Sequence, residues 1–285
     1  MKKIFPNPDG SIYHLHLKEE NISDIIILVG DPSRVKEVSK FFDKIEFQVQ
    51  NREFITHTGF FNKKRLTVLG TGIGTDNIDI VINELDAIVN IDLKTRKPKK
   101  NKKKLNFIRI GTSGALQNEI KLDTFLLTET SIGFDGLLNF YENRNSISNL
   151  EMEDAFKKHT NWKKELSSPY FVSASESLLK KLEKNTVLGT TISAPGFYAP
   201  QGRVLRLQLA DKNLNEKIES FSYKNKKITN FEMESSAIYG LSKLLGHNAV
   251  TICSIIANRV SKTYKENYKK NLENLIKKVL LDITN

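Results

Sequence analysis

The chain has 285 residues, 39% of them hydrophobic and 27% charged, which is enough apolar content for one large core and too much for a chain that stays disordered. No apolar run approaches the roughly 18 residues of a membrane span, and the opening MKKIFPNPDG brings in proline and aspartate before any apolar stretch, so neither a span nor a secretory leader is expected. One cysteine, Cys253, excludes an intramolecular disulfide and a cysteine-rich metal site, and a reducing cytoplasm is the expected setting.

The formal net charge of +11 raises nucleic acid as a partner. Its distribution argues otherwise. Residues 94–104, KTRKPKKNKKK, hold eight cations, and the rest of the chain carries a formal +3. That segment has no aromatic side chain to stack on a base and no apolar period, so it is expected to be a solvated, mobile loop inserted into the fold. The chain uses 35 lysines against 9 arginines, whereas phosphate recognition favours the arginine fork. Neither nucleic acid nor a membrane is an expected partner.

In chain order, IIILV at 25–29 suits a strand buried on both faces of a parallel sheet. Asp31 and Pro32 suit the N-cap and first turn of a helix carrying Val35, Val38, Phe41 and Phe42 at helical spacing. RLTVLG at 65–70 predicts a second strand, and Ile78, Val81, Ile82, Leu85, Ile88 and Val89 mark one face of the next helix. A third strand is expected at 106–111, with others at 124–130, 170–175, 186–193 and 248–258. Helices are expected near 151–166, 176–184, 232–245 and 263–282. Strands and helices alternate with no distinct linker and no internal repeat, which predicts a single α/β domain over 1–285.

Ligands of such sheets collect at the C-terminal ends of strands. Three predicted strand ends combine glycine with polar groups: Gly30 to Arg34, Thr71 to Gly74, and Arg109 to Gly114. Glycine lets backbone N–H groups approach an anion, helix N-termini add positive potential, and Arg34, Arg109 and Thr112 can hold a phosphate. Taken singly, each is also an ordinary strand-to-helix turn. Neither GxGxxG nor GxxxxGK[ST] occurs, which weakens dinucleotide and P-loop readings. In NFEMES (230–235), Glu232 and Glu234 flank Met233 at a predicted helix start, where the helix dipole favours acids and where a carboxylate can also hold a vicinal diol. PGFYAPQGR (195–203) is either a plain Pro/Gly turn or a base pocket, with Phe197 as wall, Gln201 as paired donor and acceptor, and Arg203 as a cation near a carbonyl.

Eight segments in order, IYHLHL (12–17), VGDPSRV (29–35), NREF (51–54), GTGIG (70–74), FIRIGTSGAL (107–116), FYAPQGR (197–203), NFEMES (230–235) and IIANR (255–259), resemble the nucleoside phosphorylase-I family, and within it the enzymes that act on uridine. The resemblance implies a three-layer α/β fold around a mixed, partly closed sheet flanked by helices. It implies phosphorolysis of uridine to uracil and ribose 1-phosphate in pyrimidine salvage, with inorganic phosphate as co-substrate and no metal or organic cofactor. By the same resemblance, phosphate falls to Gly30, Arg34, Arg109 and Thr112, with Arg52 reaching in from a neighbouring subunit. Ribose falls to Met233 and Glu234, with Glu232 lining the site and His14 coming from the neighbour. Uracil falls to Gln201 and Arg203, walled by Phe197 and Ile256. Arg109, Glu234 and Arg203 are the expected catalytic residues, and shared sites imply a homo-oligomer, a dimer or a hexamer.

Family members acting on purines carry an aspartate after the late strand as an acid for N7, where this chain has Ile256-Ala257-Asn258-Arg259, so a pyrimidine is expected. A purine phosphorylase or nucleosidase, or a nucleoside binder without catalysis, is the alternative. Three features depart from the family pattern: Thr75-Asp76-Asn77 after TGIG, Ala199-Pro200 before Gln201, and the lysine-rich insertion. Some members hold a monovalent cation at positions matching Glu53, Ile73 and Asn77.

Overall fold

A computed structural model of the chain describes residues 6–285. Residues 1–5, on which part of the leader expectation falls, lie outside the described residues. The apolar run at 25–29 is strand β1 (Ile25–Val29), fully buried from Ile26 onward because it pairs in parallel on both sides. Helix α1 (Arg34–Ser39) follows, and then a three-stranded meander of β2 (Lys44–Asn51), β3 (Phe54–Phe61) and β4 (Lys64–Gly70). Helix α2 (Thr75–Asn90) leads to a short ribbon, β5 (Ile91–Asp92) and β6 (Lys97–Pro98), and to the long strand β7 (Asn106–Ala115).

The second half runs β8 (Phe125–Gly133), α3 (Arg144–Ile147), α4 (Leu150–Thr160), β9 (Tyr170–Ser173), α5 (Glu176–Leu182) and β10 (Val187–Ser193). It continues with α6 (Leu214–Ser220), β11 (Ser222–Tyr223), β12 (Lys226–Glu232), α7 (Ser235–Leu245), β13 (Asn248–Asn258), β14 (Thr263–Tyr264) and α8 (Lys269–Thr284).

One mixed sheet organises these elements. Strands β12, β10, β8, β13 and β7 pair in that order, and β12 pairs with β7 again through Asn230–Ala115 and Phe231–Gly114, so five strands close into a barrel. Register shifts in β10 and at Ile255/Ala257 of β13 supply the bends that closure needs. From β7 the sheet runs on, open, through β1, β4, β3 and β2. The apolar faces of α2, α7 and α8 pack into the main buried cluster. A second cluster, rich in aromatics, packs Phe156 edge-on to Phe221 at 5.2 Å. The mixed α/β fold with a partly closed sheet flanked by helices is the one that the resemblance implied.

Several elements depart from expectation. Strands β2, β3 and β12 and helix α6 were not predicted. In β2, half-buried Ile45, Phe47 and Val49 alternate with exposed Lys44, Glu46, Gln48 and Gln50, the signature of an edge strand covered on one face. Helix α1 starts at Arg34 rather than Pro32, because the Asp31 side chain accepts the Ser33 N–H at 2.9 Å and closes a turn instead of capping the helix. Glu232 ends a strand, and the helix expected from 232 begins at Ser235. The last helix begins at Lys269, because residues 263–264 pair back on β13.

The lysine-rich segment is exposed, as expected, but it is a built turn rather than a loose loop. Ile91 pairs with Pro98 and Asp92 with Lys97, while the Asp92 carboxylate accepts the N–H groups of Lys94 and Thr95 at 2.9 and 3.0 Å. Buried Asn90 holds the Lys103 backbone, and Glu19 lies 2.6 Å from both Lys99 and Lys103. Exposed pairs of this kind contribute about 0–1 kcal/mol each. Replacing residues 94–104 with a short Gly/Ser linker is therefore expected to leave kcat unchanged and to lower the melting temperature only slightly. Loss of turnover in a folded variant would give the segment a role in the reaction.

Candidate active site

Arg109 stands in the middle of β7 and is 5% exposed. Its guanidinium lies across Gly111, where a Cβ would sit 2.1 Å from Nη1, so only glycine permits this path. Nη2 donates to Glu234, Nη1 lies 3.4 Å from Glu232, and buried Nε has no partner among the described residues. Burial works against the charge, but Glu234 and Glu232 outweigh it and raise the Arg109 pKa. Arg34, 8% exposed at the start of α1, makes no side-chain hydrogen bond to any described residue. Burial and then the charge of Arg109 lower its pKa, which Asp31 and Glu37 offset only in part. Two buried, mutually repelling guanidiniums at this strand end are chemically suited to holding an anion. Gly30 lies beside it at the end of β1, facing the Gly72 carbonyl. Thr112 is half-buried three residues after Arg109, and none of the described hydrogen bonds involves its hydroxyl.

The carboxylates come from the β12–α7 junction. Glu234, 3% exposed, accepts the Gly74 N–H at 2.8 Å and Arg109 Nη2. Gly74 has φ +99°, a conformation that a side chain would strain, and that backbone turn aims its N–H at the carboxylate. Burial, with the charge of Glu232, pushes the Glu234 carboxyl up, while Arg109 and the Gly74 amide pull it down. Glu232 is held by four protein donors: the hydroxyls of Ser193 (2.5 Å) and Ser235 (2.6 Å) and the N–H groups of Glu234 (2.9 Å) and Ser235 (3.0 Å). Half-buried Met233 lies between the two acids.

In the 195–203 loop, Gln201 is 3% exposed. Its Oε1 accepts from Arg203 Nη1 at 2.6 Å and from Arg259 Nη2 at 2.8 Å, and its Nε2 donates to the Gly196 carbonyl at 3.2 Å. Arg203 also stacks on Phe197, 3.8 Å from the ring centroid. Phe197 is half-exposed, and half-buried Ile256 sits at the β13 bulge. Arg259, to which the resemblance gives no role, is the second cation on Gln201; its signal in the sequence is an arginine directly after the longest strand in an arginine-poor chain. Burial and then the charge of Arg203 push its pKa down to about 10.

His14 and Arg52 both lie near the Tyr13 ring, and neither hydrogen-bonds to Arg109 among the described residues. His14 Nδ1 lies 2.5 Å from Glu84, which also accepts the N–H groups of His14 and Leu15. Asn51 donates to the His14 carbonyl at 2.7 Å, and Arg52, in the β2–β3 turn, lies 5.6 Å from the Tyr13 ring centroid. Glu84 is ten residues along α2 from Gly74, about 15 Å at 1.5 Å per residue. Two further surface clefts are lined by ion pairs, Arg144 with Glu153 in one and Lys103 with Glu19 in the other.

Residues 24–282 match the family model of the phosphorylase superfamily. The chain belongs to that superfamily. It is 28% identical over 264 residues to a uridine phosphorylase of Thermococcus kodakarensis, covering 90% of this chain and 80% of that one. It is 27% identical over 250 residues to a DeoD-type purine nucleoside phosphorylase of Listeria monocytogenes, covering 85% of each. Among solved structures it is similar to a Trypanosoma brucei nucleoside phosphorylase that shows uridine phosphorylase activity, with a TM-score of 0.87, 27% identity and coverage of 98% and 99%. As a member of this superfamily the protein is an enzyme, a pentosyltransferase of the nucleoside phosphorylase kind.

Asn258, the last residue of β13, is 3% exposed and fully engaged. Its Nδ2 donates to the Gln117 and Ile120 carbonyls at 2.9 and 2.8 Å, and its Oδ1 accepts the N–H groups of Val260 and Ser261, both at 3.0 Å. It anchors a loop and has no group left for a base.

Proposed function

We propose that this phosphorylase acts on uridine, transferring its ribosyl group to inorganic phosphate to give uracil and ribose 1-phosphate. The observation that carries this reading is the base loop: a buried Gln201 amide between two guanidiniums, with the position used for a purine acid occupied by a locked asparagine. Phosphate lies between Arg34 and Arg109, beside the Gly30 backbone and the Thr112 hydroxyl, with one oxygen aimed at C1′. Glu234 accepts from the ribose diol, and Met233 packs on the sugar. The C1′–N1 bond breaks as the phosphate oxygen forms its bond to C1′, and the electron pair passes to the uracil ring. Gln201 pairs with O2 and N3–H, while Arg203 and Arg259 turn to the O4 charge, with Phe197 and Ile256 as walls.

His14, held by Glu84 about 15 Å along α2 from Gly74, and Arg52 of the β2–β3 turn are assigned to the site of a neighbouring copy, which makes the working unit a homo-oligomer. Phosphate is the co-substrate, and no organic cofactor takes part. Glu53, Ile73 and Asn77 lie around Gly72, with Asn77 where the family pattern has serine, and no monovalent cation is assigned there. No helix of the described residues is long and apolar enough to cross a membrane. The proposed setting is the cytoplasm, with neither nucleic acid nor membrane as partner.

The test is release of uracil from uridine with and without phosphate, followed by chromatography, with inosine and adenosine alongside. Uracil is expected only with phosphate, together with ribose 1-phosphate. Equal cleavage in phosphate-free buffer would make the enzyme a hydrolase. The similarity to a DeoD-type enzyme supports one competing reading, and faster turnover of inosine would establish it.

A further inference from the structure

Glu232 and Glu234 stand two residues apart at the same junction, yet the protein uses them differently. A carboxylate offers about four lone-pair positions. On Glu232, the hydroxyls of Ser193 and Ser235 and the N–H groups of Glu234 and Ser235 supply four donors, before Arg109 Nη1 at 3.4 Å is considered. On Glu234 only two donors are present among the described residues, the Gly74 N–H and Arg109 Nη2.

The donors to Glu232 are themselves directed. Ser193 Oγ accepts the Ser236 N–H at 2.9 Å, which leaves its proton for Glu232. Ser235 Oγ has Ser131 Oγ at 2.7 Å and donates its own proton to Glu232. Ser131, Ser193 and Glu232 come from the adjacent strands β8, β10 and β12, so the carboxylate is seated on three strands of the barrel.

We infer that Glu232 does not touch ribose but is a positioning residue: a fixed anion behind Arg109, seated by Ser193 and Ser235, that sets the guanidinium's orientation and offsets part of the positive charge of the phosphate site. The diol is left to Glu234. This rests on the phosphorolytic reading above and gives a role to a residue which that reading leaves without one.

Two consequences differ from those of a ribose contact. Glu232→Gln keeps the shape and removes one negative charge beside Arg109 and Arg34, so phosphate binds several-fold more tightly. At the same time Arg109 loses its fixed aim, and misplacement of a reacting group can lower turnover by up to about a hundredfold. A lowered phosphate KM with a lowered kcat is not what general loosening of the fold produces. The lost factor in kcat/KM is also the same for uridine, 2′-deoxyuridine and 3′-deoxyuridine, whereas that of Glu234→Gln shrinks when a hydroxyl is removed.

The experiment compares wild type, Glu232→Gln, Glu232→Asp and Ser193→Ala. Steady-state kinetics use the three nucleosides, and phosphate affinity is measured by calorimetry without nucleoside. Glu232→Asp keeps the charge, so it is expected to lower kcat without tightening phosphate. Ser193→Ala is expected to give a smaller fall in kcat that is equal for the three nucleosides. If the Glu232→Gln defect disappears with either deoxynucleoside, Glu232 is a ribose contact and the inference fails. Unchanged phosphate affinity in folded Glu232→Gln also overturns it. Phosphate calorimetry needs no nucleoside, so it decides the role of Glu232 even if uridine proves not to be the substrate.

Discussion

Arg109→Ala is expected to lose phosphorolysis and to lose stability with it. Removing one preorganised donor from the charge that develops in a transition state costs about 2.7–4 kcal/mol, a hundredfold to a thousandfold in turnover. The structural cost arises because Glu232 and Glu234, 4% and 3% exposed, would face each other without their shared cation. Breaking a buried ion pair from one side costs about 3–5 kcal/mol. The remaining carboxylates avoid part of this by taking up a proton, so their folded pKa rises above the unfolded value. A carboxyl raised in this way stabilises the fold at low pH, and that contribution is lost as pH rises through the folded pKa. Arg109→Ala should therefore be most stable in acid and weaken toward neutrality.

Arg109→Lys separates the two effects. It keeps the cation and loses the fork, so it should fold normally and still turn over poorly. Arg34→Ala gives the opposite pattern. Arg34 makes no side-chain hydrogen bond to a described residue and is repelled by Arg109, so its removal should cost little stability while phosphate KM rises. Denaturant midpoints across pH, measured beside kcat and phosphate KM, check all three variants. Near-normal phosphorolysis by Arg109→Ala would remove this arginine from the site.

Most of the buried framework was legible because its residues repeat a local pattern. The runs at 25–29, 65–70 and 248–258 are strands because their apolar residues are continuous, and α2 and α8 are helices because theirs recur at helical spacing. The missed strands lacked that clarity. Polar alternation in β2 is half-buried only because β3 lies beside it, and β12 opens on two lysines and runs straight into the acids of NFEMES. Barrel closure was implied by the resemblance alone, since pairing between residues 115 and 230 leaves no local trace. Among site residues, Arg109 and Glu234 were named, and the structure brings them into contact. The hydrogen bond from Ser193 of β10 to Glu232, and the placing of Arg259 on Gln201, depend on long-range contacts that no spacing encodes.

Base choice is expected to rest on Gln201, with Arg203 and Arg259 as its partners. Gln201→Ala should lower kcat/KM for uridine by about fivefold to more than a hundredfold, since leaving buried polar groups unpaired costs about 1–3 kcal/mol. Both guanidiniums would lose the acceptor they share, and Arg259, already pushed down to about 10 by burial and by Arg203, would face Arg203 with nothing between them. Phosphate affinity measured alone should hardly change, because the anion site is built from other strands.

A site that reads a donor and acceptor pattern rejects a base that lacks it more strongly than it rejects one of slightly different size. Cytidine replaces the N3–H donor by an acceptor and the O4 acceptor by an amine, which would then meet Arg203 donor against donor. Inosine is larger and finds no acid at position 257 or 258, since Ala257 has none and Asn258 is bound to its own loop. The expected order in wild type is uridine first, deoxyuridine and thymidine next, and cytidine and purines poor. In Gln201→Ala the uridine advantage should collapse toward the cytidine value. The measurement is kcat/KM across this panel for both proteins. Wild-type inosine equal to or above uridine would replace the pyrimidine assignment with a purine phosphorylase whose acid lies elsewhere.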